Sequence, residues 1–231
     1  MPEVIFNGAE GRLEGRYHHS QLPNPPVALV LHPHSQHGGT MNNKVTYNIF
    51  QTFAQNHFSV LRFNFRGVGK SEGAFDHGVG ELTDAATALD WLQIQNPNSN
   101  SFWIAGFSFV AWVALQLLMR RPEIHGFVAV SPPTNKYDFS FLSPCPAPGL
   151  ILQGDQDSVV NEQSVAAFAE RLSKQRNTDV RYTMVEGADH FFRDKLEIMN
   201  GQIDEFLKEK NSVYKPLQAR PDRRRRQVLD I

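Results

Sequence analysis

The 231-residue sequence has a single cysteine, Cys145, so no internal disulfide can form and nothing in it calls for an oxidising compartment. It also lacks a net charge of consequence. A formal value of -1 gives the body no pull toward a polyanion. No apolar run is long enough to span a bilayer, and Met1-Pro2-Glu3-Val4-Ile5-Phe6 has no basic stretch leading into an apolar one, so a cytoplasmic location without membrane attachment is expected. No Gly/Ser-rich or Pro-rich linker divides the middle of the chain, which predicts one domain over residues 1–208. What is present is a hydrophobic share of 41% against 20% charged residues, enough to bury a large core.

Periodicity gives the order of elements. Val4 to Phe6 and Arg12 to His18 read as a hairpin around the turn at Gly8 to Gly11. Val27 to Leu31, Phe58 to Phe65, Phe102 to Gly106, Gly126 to Val130, Gly149 to Leu152 and Val180 to Val185 are continuous apolar or β-branched runs, which suit strands covered on both faces. Between them, Met41 to His57, Leu82 to Leu92, Ala111 to Arg121, Glu162 to Lys174 and Phe191 to Leu207 carry helical spacing. Alternation of this kind predicts an α/β fold: a mostly parallel central sheet with helices on both faces. From Glu209 onward periodicity is lost and Arg223-Arg224-Arg225-Arg226 forms a basic run, predicting a solvated or subunit-clasping tail over 209–231. Nucleic-acid binding needs a larger basic surface with aromatic partners and is disfavoured. Homo-oligomer formation is left open.

Ser108 carries the chemistry. It stands in Gly106-Phe107-Ser108-Phe109-Val110, between a buried strand and a helix, where a sharp bend lifts a side chain above the carboxyl edge of the sheet. A serine hydroxyl needs a base to take its proton and donors to hold the oxyanion that forms. Of nine histidines only His190 follows the acidic loop Gly154-Asp155-Gln156-Asp157, and it is expected at the start of the last helix. Asp157 is the preferred partner for its imidazole, lying deeper in the loop with Val159 and Val160 behind it, and Asp155 is the competing choice.

These segments resemble the small, lidless α/β-hydrolase carboxylesterases related to the dienelactone hydrolases. The resemblance runs from Val27 to Leu207 and rests on Leu31-His32-Pro33-His34 with Gly38-Gly39-Thr40-Met41, on Phe63-Asn64-Phe65-Arg66-Gly67-Val68-Gly69-Lys70-Ser71, on the serine bend, on Asp157, and on Gly187-Ala188-Asp189-His190-Phe191-Phe192. It implies an α/β-hydrolase fold with the triad Ser108, Asp157 and His190, and an oxyanion hole from the backbone NH groups of His34 and Phe109. The implied reaction is hydrolysis of short-chain acyl esters through an acyl-serine, with no cofactor. Dienelactone hydrolases use a cysteine nucleophile, but Cys145 lies far from the bend. In the family a very small residue usually stands two positions after the nucleophile. Here it is Val110, whose β-branched side chain is expected to shift the helix or strain the bend.

Other residues admit several roles. His32, His34 and His37 fit no common zinc spacing and no metal site is expected. Gly69-Lys70-Ser71 lacks the earlier glycine of a phosphate loop, so a tight turn shaping the pocket wall is the better account. Ser131 to Pro148 holds no more than one loop, too short for a cap domain. Tyr137, Phe139 and Phe141 in that loop are assigned to the acyl pocket, with packing over the sheet as the alternative. Two functional alternatives remain beside the esterase: a serine peptidase, and a non-catalytic binding or regulatory protein on the same fold.

Overall fold

The computed structural model describes residues 2–211. Its strands are β1 (Glu3–Gly8), β2 (Gly11–His18), β3 (Val27–Leu31), β4 (Ser59–Phe63), β5 (Phe102–Phe107), β6 (Ile124–Val130), β7 (Gly149–Gly154) and β8 (Val180–Val185). The helices are α1 (Lys44–Gln55), α2 (Val79–Gln95), α3 (Phe109–Leu118), α4 (Glu162–Ser173) and α5 (Leu196–Asn211). All strands join one sheet in the order β1-β2-β4-β3-β5-β6-β7-β8. The hairpin β1–β2 and its junction with β4 are antiparallel, and every other pairing is parallel.

The continuous apolar strands are the reason for the layering, because successive side chains point to opposite faces and both faces must be covered. Leu29, Leu31, Ile104, Phe127 and Ile151 face one core, closed by Ala85, Leu89 and Leu92 of α2, Val113 and Leu117 of α3, and Val165 and Phe168 of α4. Val30, Val60, Trp103, Ala105, Val128 and Leu152 face the other, closed by Ile49, Phe50 and Phe53 of α1 and Met199, Ile203 and Phe206 of α5. Caps set the helix starts. Asn43 Oδ1 accepts from Val45 NH at 2.9 Å at the head of α1, and Asn161 Oδ1 accepts from Ser164 NH at 3.1 Å at the head of α4.

The last helix departs from the expected bounds. It begins at Leu196 rather than Phe191, because Phe192 and Asp194 adopt φ of 52° and 58°, which no right-handed helix accommodates. The Asp189 carboxylate holds that turn by accepting from the NH groups of Phe191 (3.1 Å) and Arg193 (2.9 Å). The helix then runs on past Leu207, so Glu209 and Lys210 belong to α5, and Lys210 reaches Asp179 at 2.7 Å. The rest of the expected tail, with Arg223 to Arg226, lies outside the described residues.

Candidate active site

The site is assembled at the carboxyl edge of β3 and β5 to β8 by loops that leave the sheet there, the usual place for a site in an open parallel sheet. Ser108 joins β5 to α3 with φ 61° and ψ -131°, a backbone conformation that L-residues rarely hold. The bend is locked on both sides: Ser108 NH donates to Val130 O at 2.8 Å and Ser108 O accepts from Ala111 NH at 2.9 Å. It also needs Gly106. A Cβ there would sit 2.6 Å from Val110 O and 2.9 Å from Ala111 Cα, so the strand and the returning helix touch backbone to backbone.

Val110 does not open this bend. Its side chain is buried in the core with 1% exposure, while the carbonyl of the same residue faces Gly106. The close approach to Gly106 is therefore made by backbone atoms of Val110 and Ala111. Ser108 Oγ stands 3.0 Å from His190 Nε2, and His190 Nδ1 stands 2.8 Å from Asp157 Oδ2.

His190 lies in the loop before α5, not at a helix start, with its ring against Phe107 (5.1 Å) and Phe191 (5.2 Å) between centroids. Asp157 is the acid that meets it. Its side chain is fully buried, and Oδ1 accepts from the NH groups of Val159 and Val160, both at 2.8 Å. Burial alone raises the pKa of this carboxyl, but the hydrogen bonds from His190 and the two amides outweigh it and hold the group below the usual aspartate range. Asp155 instead secures the loop: its Oδ1 accepts from Gly187 NH at 2.6 Å and ties the acid loop to the histidine loop.

His34 enters the same cleft from the loop after β3. Its NH and that of Phe109, at the first turn of α3, have no hydrogen-bond partner among the described residues. The His34 ring rests on Phe75 (4.7 Å) and Phe109 (4.6 Å), and burial lowers its pKa, with His37 and His77 adding to the effect and Glu81 opposing it. His32 is buried beneath, donating from Nδ1 to Pro33 O at 2.7 Å and accepting at Nε2 from Phe65 NH at 3.0 Å. Burial pushes its pKa down to about 4, partly offset by the Pro33 carbonyl, so the ring is a neutral brace for the loop.

A cleft of about 320 Å³ opens over Ser108, lined by Pro33, His34, Asn43, Lys136, Val159 and Phe191 around His190. The assignment of Tyr137, Phe139 and Phe141 to its wall is corrected, since none of them lines it. Trp112 Nε1 donates to Asp138 O at 2.9 Å and draws their loop onto α3, so that Tyr137 packs on Trp112 (4.9 Å). Phe139, 3% exposed, packs on Phe168 of α4 (5.0 Å) and on Phe141 (6.0 Å). Lys136, one residue earlier, is what this loop gives to the cleft. Sequence reasoning also misses Phe191 and Val159, although each lies within two residues of a member of the triad in sequence.

Gly69-Lys70-Ser71 forms a tight turn, but not at the cleft. Lys70 NH and Asn64 Nδ2 both donate to Glu14 Oε1 at 2.7 Å, and Lys70 Nζ pairs with Glu3. Cys145 is buried, its Sγ on Ala147 O at 3.4 Å, and burial raises its pKa. Among the described residues no helix is long and apolar enough to cross a membrane, and no three acidic, histidine or cysteine groups stand together as metal ligands.

Comparison with known proteins bears on the family and the fold. The family described as X-Pro dipeptidyl-peptidase (S15 family) matches residues 19–211. An uncharacterized protein of Rickettsia prowazekii (strain Madrid E) is 56% identical over 90% of this chain and 89% of its own. Among solved structures, a protein of unknown function from Agrobacterium tumefaciens, described as a candidate α/β hydrolase, superposes with TM-score 0.89 at 51% identity, over 92% of this chain and 97% of that one. A Xanthomonas campestris protein described as an α/β serine hydrolase without lid gives TM-score 0.80 at 33% identity, over 94% and 96%. The mostly parallel sheet and the absence of a cap between β6 and β7 are thus those of the lidless α/β hydrolases.

Proposed function

We propose that this chain, which belongs to the X-Pro dipeptidyl-peptidase (S15) family and has the fold of the lidless α/β serine hydrolases, is a carboxylesterase acting on short-chain acyl esters. The observation that carries the reading is the continuous line from Asp157 Oδ2 through His190 to Ser108 Oγ, at 2.8 and 3.0 Å. His190 Nε2 takes the Ser108 proton as Oγ adds to the ester carbonyl, and Asp157 stabilises the imidazolium that results. The oxyanion is received by the NH groups of His34 and Phe109. Collapse expels the alcohol, which leaves with the proton from His190, and the acyl-serine remains. His190 then deprotonates water, whose oxygen adds to the acyl carbon, and Ser108 is released with its proton restored.

The family's description raises peptide cleavage as a second reading. A dipeptidyl-peptidase must hold a free N-terminal ammonium, and among the described residues no carboxylate lines the cleft beside Ser108; Lys136 and three histidines, His34, His37 and His190, do. That lining favours the ester. A cytoplasmic placement is proposed with it, in keeping with a single buried cysteine, Cys145, that can form no internal disulfide.

The test is release of p-nitrophenol from acetate and butyrate esters, compared with cleavage of an X-Pro anilide. Ester turnover is expected to fall by about 10⁴-fold or more in Ser108→Ala and in His190→Ala, with no anilide cleavage in the parent. Full ester activity in either variant would sink the assignment. Failure of a fluorophosphonate to label Ser108 in folded protein would favour a binding role.

A further inference from the structure

Gln153 is an anomaly in β7. Its neighbours Leu150, Ile151 and Leu152 are apolar and wholly buried, as the strand's place between two cores demands, yet its own polar side chain is equally inaccessible. The amide nitrogen has three acceptors within reach: Asp157 Oδ2 at 3.0 Å, Val160 O at 3.1 Å and Gly154 O at 3.2 Å. That surrounding fixes the amide's orientation, because the reversed one would set its oxygen against two carbonyls and a carboxylate. Its Oε1, meanwhile, has no partner among the described residues. An unpaired buried carbonyl is unfavourable, and leucine or methionine would serve the core better. The compensation lies at Asp157.

The two amides on Asp157 Oδ1 leave the other oxygen to be placed. Without Gln153, His190 would be the sole partner of Oδ2 among the described residues, and the carboxylate would be held against the imidazole from the Oδ1 side alone. Gln153 Nε2 meets Oδ2 from the floor of the sheet while His190 Nδ1 meets it from the cleft side. We propose that Gln153 is a positioning residue for the Ser108–His190–Asp157 line, acting through Asp157 Oδ2 to set the angle and proton affinity of His190. The inference rests on the esterase reading of the site.

The groups facing His190 are Asp157 from the loop after β7, Ser108 from the bend after β5, and the rings of Phe107 and Phe191. His34 and His37, from the loop after β3, and Lys136, from the loop after β6, share its cleft, while neighbouring Asp189 is engaged by Arg193. Among the described residues the side-chain hydrogen bonds of Gln153 go to Gly154, Asp157 and Val160, none of which lines the cleft, so its replacement reaches His190 through Asp157. Removing a donor from Oδ2 makes the carboxylate more basic, which favours the imidazolium and raises the His190 pKa.

In Gln153→Met, kcat for p-nitrophenyl acetate is expected to fall about 10-fold with KM unchanged, and the acid limb of the kcat/KM profile to move up by about half a pH unit or more. NMR titration of the His190 imidazole in the folded, substrate-free chain reads the same shift without requiring turnover. If the parent cleaves no ester but the imidazole shift is present, the esterase reading fails and the role of Gln153 stands. A folded Gln153→Met with an unmoved His190 titration overturns the proposal. Gln153→Asn, which keeps the amide but withdraws it by one methylene, should reproduce the shift. If neither variant folds, Gln153 belongs to the fold and the proposal is equally overturned.

Discussion

The carboxyl edge of the sheet has two polar halves, one over β3 and β4 and one over β5 to β8. Both are dense in glycine, histidine and charge. Over β3 and β4 the polar groups close on one another: Arg66 grips Asp84 through two side-chain bonds and its own NH, Asn64 bridges Glu14 to Met41 NH, and His32 joins Pro33 O to Phe65 NH. Over β5 to β8 the chain of bonds instead ends in a cleft, at a hydroxyl whose one side-chain partner among the described residues is a histidine with no other on its Nε2. The first half is largely a brace, with only the loop from Pro33 to Gly39 turned to the cleft, and the second ends in the cleft. Density of polar residues does not separate them; whether the last group in each chain faces open space does.

The largest effect that would break this contrast is at Asp157. Asp157→Asn keeps the shape of the side chain but turns one of its acceptors into a donor, so the imidazole loses the carboxylate that fixes its tautomer. Ester kcat should drop by about 10⁴-fold with the chain still folded. Asp155→Asn, which perturbs the bonds to Gly187 and Gln156 and none to His190, should leave most of the activity. Similar losses in both variants, measured as p-nitrophenyl acetate turnover beside a thermal melt, would mean the acid loop acts as scaffold alone.

On the bracing side the expected loss is of stability. Arg66 and Asp84 are 5% and 1% exposed in their side chains, so Arg66→Met leaves a carboxylate buried without its partner, at a cost of about 3–5 kcal/mol. Urea unfolding should show it, and Arg66→Met combined with Asp84→Leu should recover most of it. A double variant no better than the single one would show that the pair does more than satisfy itself.

That distinction explains how much is legible in the sequence. The alternation of strands and helices, the serine bend and the order Ser108, Asp157, His190 can be read because each rests on local pattern: continuous apolar runs, a Gly two residues before the nucleophile, an acid after one strand and a histidine after another. Asp155 and Asp157 can be ranked in sequence only by depth in the loop, and the structure separates them by a contact 33 residues away with His190. The aromatic residues of the loop after β6 escape correct placement because spacing does not say which side of a loop meets the sheet. Trp112, holding Asp138 O from α3, decides that. Val110 reads as an obstacle since the sequence does not give the direction of its side chain. The early start expected for the last helix fails for a related reason: Phe192 and Asp194 take up positive φ, and no periodicity reveals such a turn.

The smallest expected effect is also the one that couples the halves, through His32 under the oxyanion loop. Its pKa is pushed down to about 4 in the folded chain, against 6.5 for the free side chain. Above pH 6.5 the ring is neutral in both folded and unfolded states, so it adds no pH dependence there. As pH falls from 6.5 toward 4 the unfolded chain takes up a proton that the folded chain refuses, and unfolding becomes easier by up to about 3 kcal/mol across that window. Below about 4 both states are protonated and the slope from this residue ends. Urea midpoints measured at half-unit steps from about pH 7 to about pH 4 should therefore decline, and His32→Gln, which removes the titrating group, should flatten the part of the decline lying above the carboxylate range. Because Pro33 precedes the NH of His34, ester activity in that variant should fall more than its stability at neutral pH predicts. If activity and stability fell in proportion, the brace over β3 would be no more than a structural support, and the two halves of the edge would be energetically separate.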